Sequence, residues 1–317
     1  MKTEIIQLYP QNENVTLTSY IINDSVEMLN GKKRPAILIC PGGGYLDLSD
    51  REAEPVALKF NAMGYHAFVL RYSVYRQADE DFPDIFSETF EARKNCQFPQ
   101  AMLDIAESMR ILNQNSNTWH LDTGRIGLCG FSAGAHNVAL YCTNWNKEIL
   151  AGQAPDHSTS LRPAAAILCY GLSDYTLKIN EGNSEIINQF FDASNLAFLG
   201  ATHPSNDILD KVSPAKQIDQ YMPPTFLWAT AGDQMVPVEH TIRMAHGLSE
   251  NHIPFEMHIF EEGSHGLSLA SQASASGLTE TSADVEKWIN LAEKWLLKRF
   301  ALPLPEKAIT FEESFDI

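Results

Sequence analysis

The sequence predicts an α/β protein built on a mostly parallel, doubly wound sheet of about eight strands, opened by an antiparallel hairpin. Three observations lead there. Short, near-continuous apolar runs recur along the chain, segments with helical spacing of apolar residues lie between them, and residues 3–22 alternate apolar with polar instead.

In chain order, Ile6 and Leu8, then Val15, Leu17 and Tyr20, flank a Pro10-Gln11-Asn12 turn and predict a hairpin at a sheet edge. The apolar runs follow: Pro35 to Cys40, His66 to Tyr72, Arg125 to Gly130, Ala164 to Tyr170, Pro224 to Thr230 and Phe255 to Phe260. Runs without alternation suit strands covered on both faces. Val56, Phe60 and Met63 share a helical stripe, with Gly64 as its C-terminal stop. Met102, Ile105, Met109 and Leu112 make a second, and Val285, Trp288, Ile289, Ala292, Trp295 and Leu296 a third. Pro237 suits the first turn of a helix running towards Asn251.

Two stretches break this rhythm. Residues 73–98 are polar and acidic but carry Phe82, Phe86, Phe90 and Phe98, while residues 172–217 are rich in Asn, Ser and Asp with scattered aromatics. Inserted loops of this length predict lid elements over a site, the phenylalanines forming a small core or lining a pocket. With no linker or repeat, one domain spanning 1–317 is the expectation.

Composition narrows the function classes. Against 23 Lys+Arg stand 40 Asp+Glu, a formal charge of −17, so the surface repels phosphate backbones and anionic membranes. The N-terminal MKTEIIQLYP lacks the apolar run of a signal segment, and no stretch approaches the roughly 18 apolar residues of a membrane span, so a cytoplasmic protein is expected. Cys40, Cys129 and Cys169 lie in apolar runs and no C-x-x-C pair occurs, which predicts reduced core thiols.

The segment Arg125 to Gly134 places Gly130-Phe131-Ser132-Ala133-Gly134 between a predicted strand and a predicted helix. A chance G-x-S-x-G arises about once in ten chains of this length, so context carries the inference. On a strand-to-helix turn the glycines permit a sharp elbow that exposes Ser132 as a nucleophile. A serine hydroxyl then needs a base and a third group to orient that base. Asp233 follows the strand ending Trp-Ala-Thr-Ala-Gly, and His265 follows the strand ending Ile-Phe-Glu-Glu-Gly-Ser, so acid and base come after the serine at further strand ends. Pro41-Gly42-Gly43-Gly44-Tyr45 follows the first central strand. Gly43, Gly44 and Ala133 are the expected backbone donors to an oxyanion, and Tyr45 the expected substrate contact.

Together with Arg51-Glu52-Ala53-Glu54-Pro55-Val56-Ala57, Ser213-Pro214, Gly232-Asp233, Val236 to Glu239 and Phe260 to Gly266, these motifs resemble the α/β-hydrolase esterases. The likeness is to acetyl esterases, xylan esterases and the hormone-sensitive-lipase-like carboxylesterases, over about Pro35 to Leu297. It implies hydrolysis of short acyl esters, acetylated sugars among them, through an acyl-enzyme, with no cofactor and no metal; a homodimer is the oligomer it suggests. Three departures stand out: Pro41 replaces the histidine that commonly opens the oxyanion loop, Ala135 stands where a third glycine is frequent, and the insertion over residues 73–98 is longer than usual before Pro99 and Asp104.

Other readings of the same residues remain in view. An arylformamidase or peptidase would use the same triad, and an inactive hydrolase scaffold could serve as a binding protein. Asp174, after the preceding strand, rivals Asp233 as the acid. His240, His246, His252 and His258 recur every six residues, but six residues turn a helix by roughly 600°, so successive members face different ways and predict no metal site.

Overall fold

A computed structural model describes residues 1–87, 89–153, 160–177 and 184–307. The alternating N-terminal segment forms β1 (Lys2–Tyr9) and β2 (Asn12–Ile21), paired antiparallel, and β2 pairs antiparallel with β4 (His66–Arg71). From there inward every neighbour is parallel: β4 with β3 (Arg34–Cys40), then β5 (Leu121–Phe131), β6 (Ala165–Cys169), β7 (Thr225–Thr230) and β8 (Phe255–Phe260). The sheet order is β1-β2-β4-β3-β5-β6-β7-β8.

The helices lie on both faces. Successive strand residues point to opposite sides, and on β3 this sends Ile37 and Ile39 into one core and Leu38 and Cys40 into the other. The first core receives Val56 and Phe60 of α1 (Glu54–Ala62) and Trp288, Trp295 and Phe300 of α7 (Trp288–Phe300). The second receives Met102, Ile105 and Met109 of α2 (Gln100–Gln114), Val138 and Leu140 of α3 (Ala133–Asn144), and Met244 and Leu248 of α6 (Glu239–Glu250). Both faces of β3 to β7 are thereby covered, which is why those runs carry no polar alternation.

β8 differs from the expectation. As the outermost strand it has a neighbour on one side only, and Phe255 and Ile259 are 38% and 40% exposed. Gly64 follows the end of α1 at φ +93°, the left-handed conformation expected of its stop. All five cysteines are free and buried. No helix among the described residues is long and apolar enough to cross a membrane.

The two insertions fold unlike one another. The described residues of 73–98 hold one 3₁₀ turn (Lys94–Cys96), with Phe82 and Phe86 left 52% and 61% exposed while Ile85 and Phe90 pack with Leu46, Tyr75 and Cys96. The second carries α4 (Glu185–Leu199) and α5 (Asn206–Lys211); its residues 178–183 lie outside the described residues. Ser184 caps α4 by accepting the Ile187 N–H, and Gly200 ends it at φ +76°.

Candidate active site

Ser132 sits between β5 and α3 at φ +50° and ψ −120°, a conformation that costs a non-glycine residue on the order of 1–3 kcal/mol. The surroundings enforce it. A Cβ on Gly130 would lie 2.7 Å from Ala135 Cα, and one on Gly134 would lie 2.7 Å from the Cys40 carbonyl carbon, so the elbow closes only around two bare backbones. The Ser132 N–H donates to the Cys169 carbonyl of β6 (3.0 Å), which ties the turn to the neighbouring strand end. Ala135 is accommodated because Gly171, across from it, has no side chain: a Cβ there would come within 2.6 Å of Ala135 Cβ.

The loops after β7 and β8 bring Asp233 and His265 to this elbow. His265 Nδ1 donates to Asp233 Oδ2 (2.7 Å), which leaves Nε2 unprotonated to accept the Ser132 hydroxyl (2.8 Å). Asp233 is held in turn by the Met235 and Val236 N–H groups, both 2.9 Å from Oδ1. Asp174 is engaged elsewhere: Oδ2 accepts from Arg243 and Oδ1 from Thr176, with Lys216 Nζ 3.6 Å away. Burial works to raise its carboxyl, but the Thr176 bonds and these cations win and hold it below the usual range.

The glycine loop is shaped by its own carbonyls. The Gly42 carbonyl accepts the Ser49 N–H (2.9 Å) and the Gly43 carbonyl accepts those of Leu46 and Asp47 (3.1 Å each). In a trans peptide the N–H points opposite to the carbonyl, so the Gly43 and Gly44 N–H groups face out of the loop. Gly43 and Gly44 have φ +136° and +64°, and a Cβ on Gly43 would press to 2.6 Å from the Asp47 carbonyl carbon. Ala133, the first residue of α3, has an N–H with no acceptor inside the helix. Gly44 and Ala133 border the same cavity as Ser132.

That cavity holds about 20 Å³, room for one water. Its walls include Leu172, Tyr175, Phe190, Phe191, Met235 and Val236. Both phenylalanines of the lining come from α4, in the second insertion, and none of Phe82, Phe86, Phe90 or Phe98 borders it. Phe190 lies directly over the glycine loop: a Cβ on Gly44 would meet its Cε1 at 2.9 Å.

Tyr45 also borders the cavity, but its hydroxyl donates to His136 Nδ1 (2.6 Å) and its ring stacks on Phe198 at 4.0 Å, so its polar group is committed to the core. Burial pushes His136 down to about 3 and keeps it neutral, with Nε2–H donating to the Val212 carbonyl (2.7 Å). His240 and His246 lie on α6, His252 beyond its end and His258 on β8. Among the described residues no group of three His, Cys, Asp or Glu could hold a metal ion.

Two residues near the site escape a reading of the sequence. Glu52, just before α1, looks like an acidic residue favouring a helix N-terminus, yet it is buried and its Oε2 accepts the Gly42 N–H (2.7 Å). Tyr170 looks like the last residue of an apolar strand, yet its hydroxyl donates to Glu52 Oε1 (2.6 Å). No local pattern distinguishes either from its ordinary role.

Known proteins resemble this chain in sequence and fold. A family model described as BD-FAE matches residues 26–248. Endo-1,4-beta-xylanase B of Butyrivibrio fibrisolvens is 30% identical over 262 residues, 82% of this chain and 36% of that protein. The chain spans less than half the length of the curated relatives it matches. Among solved structures, an alpha/beta hydrolase enzyme, MGS-M1, from a Medee basin deep-sea metagenome library is 32% identical with a TM-score of 0.71, covering 95% of this chain and 99% of its own. An acetyl ester-xyloside bifunctional hydrolase from Caldicellulosiruptor lactoaceticus is 29% identical with a TM-score of 0.70, covering 93% and 96%. The fold is that of the α/β hydrolases.

Proposed function

The chain belongs to the BD-FAE family, and from that premise we propose that it is a serine carboxylic-ester hydrolase acting on short acyl esters, with acetylated sugars as its substrate class. The observation that carries the reading is the unbroken chain from Ser132 Oγ through His265 to Asp233, at 2.8 and 2.7 Å. Ser132 Oγ attacks the ester carbonyl while His265 Nε2 takes its proton. Asp233 holds the imidazole in the tautomer that leaves Nε2 free and stabilises it once protonated. The N–H groups of Gly43, Gly44 and Ala133 receive the oxyanion, each such donor contributing about a hundred- to a thousandfold in rate. His265 then returns the proton to the leaving alcohol, and water repeats the sequence on the acyl-enzyme to release the acid.

The narrow cavity beside Ser132 supports a short acyl group, and the acetyl ester-xyloside hydrolase among the similar structures supports a sugar-borne one. A p-nitrophenyl ester series from acetate to octanoate, run on wild type and Ser132→Ala, tests this. Turnover confined to wild type and falling with chain length is expected. Undiminished turnover by Ser132→Ala overturns the mechanism, and a preference for long chains overturns the acyl class.

A further inference from the structure

Glu52 joins two loops that the proposed reaction needs in register. Its Oε2 accepts the N–H of Gly42, at the root of the oxyanion loop, and its Oε1 accepts the hydroxyl of Tyr170, at the end of β6. The Tyr170 oxygen in turn accepts the N–H of Ser268, three residues past His265 (2.9 Å). That last bond fixes the direction of the others. With its oxygen already receiving an N–H, the tyrosine gives its single proton to Glu52, and Gly42 can only donate, so the carboxylate accepts twice.

Each member of this bridge is locked. Glu52 is 3% exposed and Tyr170 3%, and a Cβ on Gly42 would lie 2.8 Å from Ser132 Cβ. Ser268 donates its hydroxyl to the Arg51 carbonyl (2.7 Å), and its own carbonyl accepts the Trp288 Nε1–H (2.9 Å). Tyr170 and Ser268 hold φ +41° and +53°, conformations that persist in side-chain-bearing residues only where the surroundings over-determine them. The Tyr170 ring also stands edge-on to the His265 imidazole at 5.1 Å.

We infer that Glu52 and Tyr170 are positioning residues of the active site: a buried carboxylate–phenol bridge that holds the oxyanion loop and the His265 loop in register around Ser132. Neither touches substrate. Burial of an ion is tolerated here because both of its oxygens are satisfied, and burial pushes the Glu52 carboxyl up despite those bonds. Replacing the carboxylate with an amide presents an N–H either to Gly42, which can only donate, or to Tyr170, whose proton must then turn away from the bridge, so the double acceptor that ties the two loops is lost.

The inference rests on the serine-hydrolase reading, and the experiment separates the two. Glu52→Gln, Tyr170→Phe and Ser132→Ala are compared with wild type for kcat and KM on p-nitrophenyl acetate, for inhibition by an alkylboronic acid that forms a tetrahedral adduct on serine, and for thermal melting. Bridge variants are expected to lose about ten- to a hundredfold in kcat, less than deletion of an oxyanion donor. Their KM should stay near wild type and boronate affinity should fall in parallel with kcat/KM. Wild-type kcat in a folded Glu52→Gln overturns the inference, as does a loss that tracks only the folded fraction. Should Glu52→Gln fail to fold, Tyr170→Phe, which keeps the carboxylate and removes one tether, must show the same kcat-specific loss or the inference fails. Turnover persisting in Ser132→Ala sinks the underlying reading instead.

Discussion

Phe190→Ala should shift the acyl preference towards longer chains. In the structure the ring is partly buried, lies across Gly44 and closes a cavity of about 20 Å³ beside Ser132. Removing six ring carbons there opens the wall where an acyl chain would extend. Each methylene taken from water contributes about 0.8 kcal/mol, so lengthening acetyl to butyryl adds about 1.6 kcal/mol of binding available to the transition state. That corresponds to about a fifteenfold rise in the ratio of kcat/KM for p-nitrophenyl butyrate to that for the acetate, relative to wild type. The same truncation removes packing against Phe191 and the small cluster containing Tyr75 and Ala197. Since the ring is not fully enclosed, the cost should fall below the 3–5 kcal/mol of a core phenylalanine, at about 2 kcal/mol. Phe82→Ala, in the other insertion and 52% exposed, serves as the control and should leave the ratio unchanged. A folded Phe190→Ala protein with the wild-type butyrate-to-acetate ratio refutes the assignment of this ring as the acyl-pocket wall.

Asp233→Asn should lower kcat by about ten-thousandfold with little change in fold, because the amide favours the wrong imidazole tautomer, whereas Asp174→Asn should stay within about threefold of wild type; steady-state kinetics on p-nitrophenyl acetate compare them. A larger loss in the Asp174 variant would reverse the assignment of the acid. Acid should unfold the protein through its buried neutral histidines: burial holds His66 and His240 down to about 4 and His136 to about 3. Their folded values lie below the unfolded one, so their contribution is complete above about pH 6.5 and is lost as pH falls towards the folded values, at about 1.4 kcal/mol per pH unit for each. Burial raises Asp104 and Glu52, which regain stability as they protonate and soften the fall. Chemical denaturation between pH 7 and pH 4 should show a steep decline, and a flat profile would refute the burial of these histidines.

Much of this protein was legible before any tertiary structure. Strand runs without alternation report burial on both faces, and each of the six apolar runs became a strand, because period-two and period-3.6 patterning are local consequences of backbone geometry. The same locality exposes Ser132: the elbow needs glycines at 130 and 134, two residues either side, since their missing Cβ atoms make room for neighbouring backbone. Asp233 and His265 were reachable because ligands gather at the carboxyl ends of parallel strands, and both follow strands directly.

What the tertiary structure alone decided lies between distant segments. Glu52 and Tyr170 are 118 residues apart and meet only because β3, β5 and β6 are consecutive in the sheet, an order that no local pattern encodes. The phenylalanines beside Ser132 are Phe190 and Phe191 rather than those of residues 73–98, since composition is blind to which insertion lies over that serine. β8 carries the apolar run of an interior strand yet forms the sheet edge, because its single neighbour is set by topology. Sequence determined which strand ends carry Ser132, Asp233 and His265; packing determined what holds those ends in register and how much space they leave beside the serine.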